Sequence, residues 1–201
     1  MRESGQKRSR RRLRLGGYDY TQPGAYFVTI CIKGRERLLG DISERKLEPS
    51  LYGQVVEQCW TTPARHFQNI ELDSYAIVPN HLLSVIVITG RGDAFSSQSQ
   101  QGRNKSSENA LPLQSIHGTQ HGSLTSMVQS FESISTRKIN RIRLAPGMPP
   151  WQRNYYEDVI RNEEEPSRIR TYIVNNPQQW ELDRENPYTQ QNPKQIETWQ
   201  V

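Results

Sequence analysis

One histidine of the chain stands where an imidazole could bind a metal ion. His81 opens the apolar segment 81–88, directly after the turn-forming pair Pro79-Asn80. Side chains alternate between the two faces of a strand, so His81 and Leu83 point to the same face. Histidines at both positions would offer two imidazoles to one ion, but this chain has only the first. A hydrogen-bonded histidine at the edge of the core explains the residue type equally well.

A second group of residues with chemical potential lies near the C-terminus. Tyr172 and Asn176 are four residues apart, so on a helix they share one face, and Arg168 extends the same stripe. Ile169 and Ile173 lie to one side, which puts Tyr172 at the border between core and solvent. On spacing alone, an amphipathic tyrosine at a helix edge is the simpler interpretation.

An aromatic cluster precedes that helix. Trp151, Tyr155 and Tyr156 lie close together in the sequence, with Arg153 among them. Aromatic rings beside a cation are typical of surfaces on which unpaired bases stack, and they are equally typical of a strand that packs into a core. The sequence leaves both interpretations open.

Seven segments with a regular hydrophobic pattern position these residues. Alternating or β-branched segments predict strands, and apolar residues at helical spacing predict helices. In chain order they are a strand at 25–32, a helix at 51–66, strands at 70–78 and 81–88 joined by a tight turn, a helix from 124 to about 146, a strand at 155–160 and a helix at 163–176.

The order of these segments is βαββαβ followed by a helix. It predicts an α+β fold, a ferredoxin-like antiparallel sheet with helices on one face and a C-terminal helix that carries Tyr172. Pro166 falls within the first turn of that last helix, where proline is tolerated. Such a fold hosts many unrelated functions, so function has to be argued from the site residues.

The chain of 201 residues suits one domain with appendages. We expect a basic, disordered arm at 1–14, a domain at 15–186 and a polar tail at 187–201. Within the domain, residues 91–122 are rich in Ser, Gln, Asn and Gly and predict a mobile insertion. The polar residues 178–201 are expected to pack weakly.

The net charge of +5 is concentrated at the N-terminus, where residues 1–14 hold seven bases and one acid. Such a run can neutralise phosphates and release their counterions, so it favours nucleic acid as the partner. The alternative is a solubilising arm without a partner. RNA binding through the sheet is less favoured, because residues 26–31 lack the expected basic and aromatic pattern.

Neither a membrane span nor a secretory signal is expected from the sequence. No segment approaches 18 uncharged apolar residues, and the arginine-rich start is not followed by an apolar stretch. We therefore expect a cytoplasmic, nucleoid-associated protein. Cys31 and Cys59 lack the spacing of a metal finger, and we expect both to be reduced core residues.

Several blocks of the chain resemble the IS200-like tyrosine transposase family (HUH type), and in particular its REP-associated branch. Together they span about residues 13 to 186 in the order found in that family. The matching blocks are 15–30, 75–81, 133–140, 151–157, 160–164 and 168–180.

This resemblance implies a transposase that acts on single-stranded, hairpin-bearing DNA with one catalytic tyrosine and a divalent ion. Tyr172 matches the nucleophile, and Asn176 matches a metal-binding Gln or Asn four residues later. His81 matches the first of two metal-binding histidines, and Leu83 replaces the second. The candidate DNA-binding residues are Arg8, Arg10, Arg11, Arg12, Arg14, Arg137, Lys138, Trp151, Arg153 and Arg168.

The chemistry of these residue types agrees with that implication. A phenolate can attack a phosphodiester, which forms a 5′-phosphotyrosine and frees a 3′ hydroxyl. The nitrogen of His81 and the amide oxygen of Asn176 suit Mg²⁺ or Mn²⁺, which would polarise the scissile phosphate. The bond energy is conserved in the linkage, so strand transfer needs no ATP.

The leucine at position 83 leaves two functions open. An alkyl side chain cannot bind a cation, so the site has one imidazole and one amide from the protein, and its metal affinity is expected to be weakened. The protein is then either a nicking and strand-transfer enzyme, or a hairpin-DNA-binding relative that cannot cleave. Monomer and homodimer both stay open.

Overall fold

The computed structural model describes residues 18–62, 67–89, 122–161, 165–182 and 186. The expected arm at 1–14, the insertion at 91–122 apart from Gly122, and the tail at 187–201 lie outside the described residues. In the part that is described, no helix is both long enough and apolar enough to pass through a membrane.

Every predicted strand and helix is present, with bounds shifted by a few residues. The strands are β1 (Gly24–Cys31), β2 (Gly40–Ser43), β3 (Lys46–Pro49), β4 (Ile70–Val78), β5 (His81–Ile88) and β6 (Tyr156–Ile160). The α-helices are α1 (Leu51–Thr61), α2 (Leu124–Ile142) and α3 (Glu165–Asn175), and a 3₁₀ helix (Asn176–Leu182) follows α3 directly.

The local chemistry explains where the helices begin. The side-chain oxygen of Ser50 accepts hydrogen bonds from the backbone at Tyr52 and Gly53, which caps α1. Ser123 caps α2 in the same way through Ser126. Pro166 is the second residue of α3, which confirms that it lies in the first turn.

Four strands form an antiparallel sheet in the order β4-β5-β1-β6. In this register Cys31 of β1 faces His81 of β5, and Thr29 faces Leu83. Directly opposed residues of an antiparallel pair project to the same side, so His81 and Leu83 share one face of the sheet, as predicted.

The two faces of the sheet are covered by different helices. Tyr26, Val28 and Ile30 project to the face that α1 and α2 cover, and they join the large core that contains Trp60 and Phe131. The opposite face carries a small cluster of Ala76, Leu83 and Val85 with Ile173 of α3. The fold is therefore α+β with an antiparallel sheet, and α3 lies on the face that α1 and α2 leave open.

No pattern in the sequence predicted the small hairpin of β2 and β3. Its two-residue turn, Glu44 and Arg45, has positive φ angles of 49° and 64°. Such turns usually carry Gly, Asn or Asp, so the sequence lacks the ordinary signal. The two cysteines form no disulfide within the described residues; Cys59 is buried and Cys31 is half-buried.

Candidate active site

His81 begins β5 and is fully buried. Its Nδ1 lies 2.8 Å from Oδ1 of Asn80, and Nδ2 of Asn80 donates to the backbone oxygen of Arg35 at 3.2 Å. The second bond fixes the Asn80 amide with its oxygen toward the imidazole, so Nδ1 of His81 donates to it. An imidazole oriented through Nδ1 in this way is typical of metal-binding histidines, and it is equally typical of a satisfied buried histidine.

The segment after α3 covers this histidine. The ring of Trp180 lies 6.0 Å from the ring of His81 between centroids, and Trp180 is buried. Nδ2 of Asn186 donates to the backbone oxygen of Trp180 at 2.9 Å. The expectation of weak packing over 178–201 is therefore wrong at Trp180, because the indole buries its apolar surface against the sheet.

Helix α3 lies on the same face of the sheet as His81. Ile173 is buried against Leu83 and Val85, and Asn176, at the start of the 3₁₀ helix, is also buried. Tyr172 is 42% exposed, and its ring meets Phe27 edge to face at 6.3 Å. The prediction that Tyr172 lies between core and solvent is confirmed.

The tyrosine and histidine rings contact different parts of this face. Tyr172 packs on Phe27, whereas His81 faces Cys31 across the ladder. Phe27 and Cys31 are four residues apart on β1, about 13 Å at the usual rise of a strand. Leu83, which faces Thr29, occupies the level between them. Tyr172 and His81 thus share one face of the sheet but are separated along it, with the buried side chain of Leu83 at the level between them. The catalytic and metal-binding roles of Tyr172, Asn176 and His81 stay predictions.

The donors available for a divalent ion are few. Nε2 of His81 and the side-chain oxygen of Asn176 are of the right type, but Leu83 is buried in hydrocarbon and offers nothing. Among the described residues, no group of three or more His, Cys, Asp or Glu side chains could hold a metal. This set fits an ion that completes its coordination with phosphate and water, and it does not fit a tightly bound resident metal.

An ion pair that the sequence did not predict ties α3 to the sheet. Arg170 makes two bonds of 2.7 Å to the two carboxylate oxygens of Asp73 on β4. Donation by Arg170 lowers the pKa of Asp73 below its ordinary value. The pair lies two residues before Tyr172 and so constrains the helix that carries it. The sequence contained one weak signal of this contact, the arginine two residues before the predicted nucleophile.

The predicted aromatic cluster divides between core and surface. Trp151 is buried, and its Nε1 donates to Oγ of Ser135 at 2.9 Å, so in this structure it packs in the core. Tyr155 is half-buried with its hydroxyl 3.4 Å from that of Thr125, and Tyr156 is 47% exposed. A DNA-binding role for Trp151 stays a prediction.

The candidate DNA-binding cations fall into two groups. Four are exposed on described elements: Arg137, Lys138, Arg153 and Arg168. The five arginines of the arm, from Arg8 to Arg14, lie outside the described residues.

Comparison with known proteins finds a relative by sequence, and distant structural likenesses that include two transposases. No protein family model matches the chain. A REP-associated tyrosine transposase bound to a REP hairpin has a TM-score of 0.49 at 17% identity, covering 81% of this chain and 73% of that one. A candidate transposase from Deinococcus radiodurans has a TM-score of 0.42 at 15% identity, covering 81% of this chain and 95% of that one.

The relative by sequence is a protein of Haemophilus influenzae that carries the description "uncharacterized protein". It is 35% identical over 184 residues, which cover 87% of this chain and 92% of the relative. Because the identity extends over most of both proteins, the chain belongs to the same family as this Haemophilus influenzae protein.

Proposed function

We propose that the protein is a transposase-type enzyme that nicks single-stranded, hairpin-bearing DNA through Tyr172 and then transfers the strand. The observation that carries the proposal is the position of α3, which sets Tyr172 and Asn176 on the sheet face of the oriented imidazole of His81. The blocks of sequence that resemble the IS200-like tyrosine transposases support it. Such a substrate places the enzyme with the cytoplasmic nucleoid.

The proposed reaction balances with the chain's own nucleophile. The phenol of Tyr172 loses its proton, and its oxygen attacks the phosphorus. The bond from phosphorus to the 3′ oxygen breaks, and that oxygen takes up a proton to become a 3′ hydroxyl. A 3′ hydroxyl then attacks the 5′-phosphotyrosine, which releases Tyr172 and joins the strands. The partial exposure of Tyr172 supports this role, because a phosphodiester has to reach its oxygen.

A Mg²⁺ or Mn²⁺ ion, held by His81 and Asn176, would polarise the scissile phosphate and offset the charge that builds on its oxygens. The chain's own part is to orient the donors. Asn80 orients the imidazole of His81 through Nδ1, and the ring of Trp180 packs against that imidazole. The proposed nucleophile and the proposed metal ligands all belong to one chain, so the proposal does not require the homodimer that the sequence left open.

A covalent-adduct assay tests the proposal. Wild-type protein, incubated with a labelled hairpin-bearing single strand and Mn²⁺, is expected to give a labelled adduct that survives denaturation. Tyr172→Phe is expected to abolish the adduct because it removes the attacking oxygen. Tyr156→Phe is the matched control, since Tyr156 is similarly exposed at 47%, and the adduct should persist in it. An adduct that remains in Tyr172→Phe contradicts the proposal.

A second function, hairpin-DNA binding without cleavage, is favoured by the packing of Leu83. This side chain is buried against Ile173, so hydrocarbon stands where a second metal-binding donor would lie. If this second function holds, neither wild type nor the tyrosine variants form an adduct. Affinity for the hairpin remains, and it falls steeply as the salt concentration rises. In that case Leu83→His, compared with the volume-conserving Leu83→Met, shows whether one missing donor is the cause. Adduct formation in the histidine variant alone would restore the enzymatic interpretation.

A further inference from the structure

We propose that the turn between α2 and β6 is a DNA contact in which two apolar side chains pack against bases while flanking arginines bind phosphates. We call this surface the α2–β6 tip and define it by Arg137, Arg141, Leu144, Met148 and Arg153. Its ligand rests on the proposed function, since DNA is the substrate there. The contact itself does not depend on cleavage.

The first observation is electrostatic. Residues 133–156 contain five cations and no Asp or Glu, whereas outside this segment and the N-terminal arm the chain is net acidic. Arg137 and Arg141 lie one turn apart on α2 and are both exposed, as is Arg153 beyond the turn. A concentration of cations without acids is the footprint expected for a phosphate backbone.

The second observation is that the tip presents hydrocarbon to solvent. Leu144 is 86% exposed and Met148 is 54% exposed. Leu144 also adopts a left-handed conformation with φ of 51°, where the Cβ atom of a leucine is crowded. Exposure and backbone strain both oppose folding, so neither explains why leucine stands here. A ligand that covers the side chain would explain it.

The third observation is that hydrogen bonds hold the tip in shape. Asn140 accepts from Nε of Arg143 through Oδ1 at 2.9 Å and from the backbone of Ala145 at 3.1 Å. The guanidinium of Arg143 also donates to the backbone oxygen of Met148 across the turn. Arg143 is therefore occupied within the tip, and the arginines that face outward are Arg137, Arg141 and Arg153. Such preorganisation lowers the entropy that binding costs.

The fourth observation is that backbone hydrogen bonds anchor the tip to the sheet. Beyond Met148 the chain pairs with the end of β1, where Lys33 donates to Pro150 and Gln152 donates to Cys31, both at 2.8 Å. Cys31 faces His81 on its other side. The backbone at Trp151 is thus two strand spacings from His81, roughly 10 Å. The tip is therefore anchored at the end of β1, on the side of α2, whereas His81 projects to the opposite face of the sheet and is covered by Trp180.

These observations favour DNA over other occupants. Phosphates match the cations, and unpaired bases present apolar faces to which side chains such as Leu and Met can pack or between which they can insert. A membrane surface and an acidic protein would satisfy the charge as well. We choose DNA because the proposed function already brings single-stranded DNA to this protein.

The test measures hairpin binding in the full chain carrying Tyr172→Phe, so that cleavage does not interfere. Leu144→Asn is expected to weaken binding of a hairpin-bearing single strand by about tenfold, the effect of losing one base contact. Asn tolerates the left-handed conformation, so the midpoint of thermal unfolding should stay the same or rise. A contact that matters only for folding would not lose affinity while gaining stability. Leu51→Asn, at an equally apolar and 65% exposed position on α1, is the matched control and should bind normally.

The arginines give an independent measurement. Replacing Arg137 and Arg141 with Gln should weaken binding and reduce the slope of log affinity against log salt by about one to two. Leu144→Asn should leave that slope unchanged, because it removes no charge.

Unchanged hairpin affinity in Leu144→Asn would overturn the proposal, even if the adduct assay shows that Tyr172 cleaves DNA. The proposal would also be overturned if the variant lost binding to vesicles of anionic lipid and kept binding to the hairpin. Conversely, Leu144→Asn could lose affinity as expected while neither wild type nor any variant forms an adduct. That result would support the tip as a DNA contact and reject the cleavage proposal.

Discussion

The two faces of the central sheet differ in how firmly they are covered. On one face α1 and α2 pack a continuous aromatic core, in which the Phe131 ring lies 4.8 Å from that of Trp60 and 5.1 Å from that of Trp151. On the other face, α3 packs through fully buried Ile173 and partly buried Ile169, and an ion pair holds the helix at its margin. The candidate catalytic residues all belong to the second face.

The large apolar core and the candidate catalytic residues therefore lie on opposite faces of the sheet. Burial of large apolar side chains supplies most of the free energy of folding, so the face with α1 and α2 sets the global stability. A helix held by a small apolar cluster and one ion pair can open locally at lower cost than the whole domain. We therefore expect α3 to be able to detach while the rest of the sheet stays folded.

The largest expected effect is on the face with α1 and α2. Phe131→Ala is expected to lower the free energy of unfolding by about 3–5 kcal/mol, because it leaves a cavity between two indole rings. Urea unfolding followed by circular dichroism measures it. Val174→Ala, which changes an exposed residue of α3, should have little effect. A similar loss in both variants would contradict the difference between the faces.

An intermediate effect is expected at Ile173. Ile173→Ala should lower the free energy of unfolding by about 2 kcal/mol or somewhat more, since the side chain is fully buried in a cluster that is smaller than the core on the other face. Hydrogen exchange should speed up in α3 and at Trp180 while the amides of α2 keep their protection. Equal loss of protection in α2 and α3 would show that the two faces unfold as one unit.

The smallest effect is expected at the ion pair. The carboxylate of Asp73 has a pKa lowered by Arg170, so in the range of that shift the unfolded chain binds more protons than the folded one. The pair therefore stabilises the packing of α3 on the sheet when the pH is above the ordinary carboxyl pKa. This stabilisation disappears as the pH falls through the lowered pKa of Asp73. Asp73→Asn should speed hydrogen exchange in α3 at neutral pH, and the difference from wild type should vanish in acid.

A surface ion pair elsewhere serves as the control for this variant. Asp41→Asn removes an ion pair in which Arg37 lies 2.7 Å from Asp41. Both side chains of this pair are exposed, and the pair lies far from α3 in the sequence. It should leave exchange in α3 unchanged at every pH. A pH-independent difference in Asp73→Asn would mean that the residue acts by shape and not by charge.

Much of the fold could be predicted because its signals are local. The shared face of His81 and Leu83 and the four-residue spacing of Tyr172 and Asn176 depend only on backbone geometry, and the structure reproduces both. The hairpin of β2 and β3 escaped prediction because Glu44 and Arg45 are unusual turn residues. The polar composition around Trp180 likewise hid the burial of its indole.

The amino-acid sequence by itself determined the order of strands and helices, the shared face of His81 and Leu83, and the edge position of Tyr172. Only the tertiary structure decided that α3 lies on the open face of the sheet, that Trp180 covers His81 and that Asn80 fixes its imidazole. Strand alternation and helical spacing depend on neighbours in the chain, so a sequence pattern reveals them. The contacts of α3 and Trp180 join residues far apart in the sequence. The orientation of Asn80 depends on the backbone of Arg35, which only the folded chain brings to it.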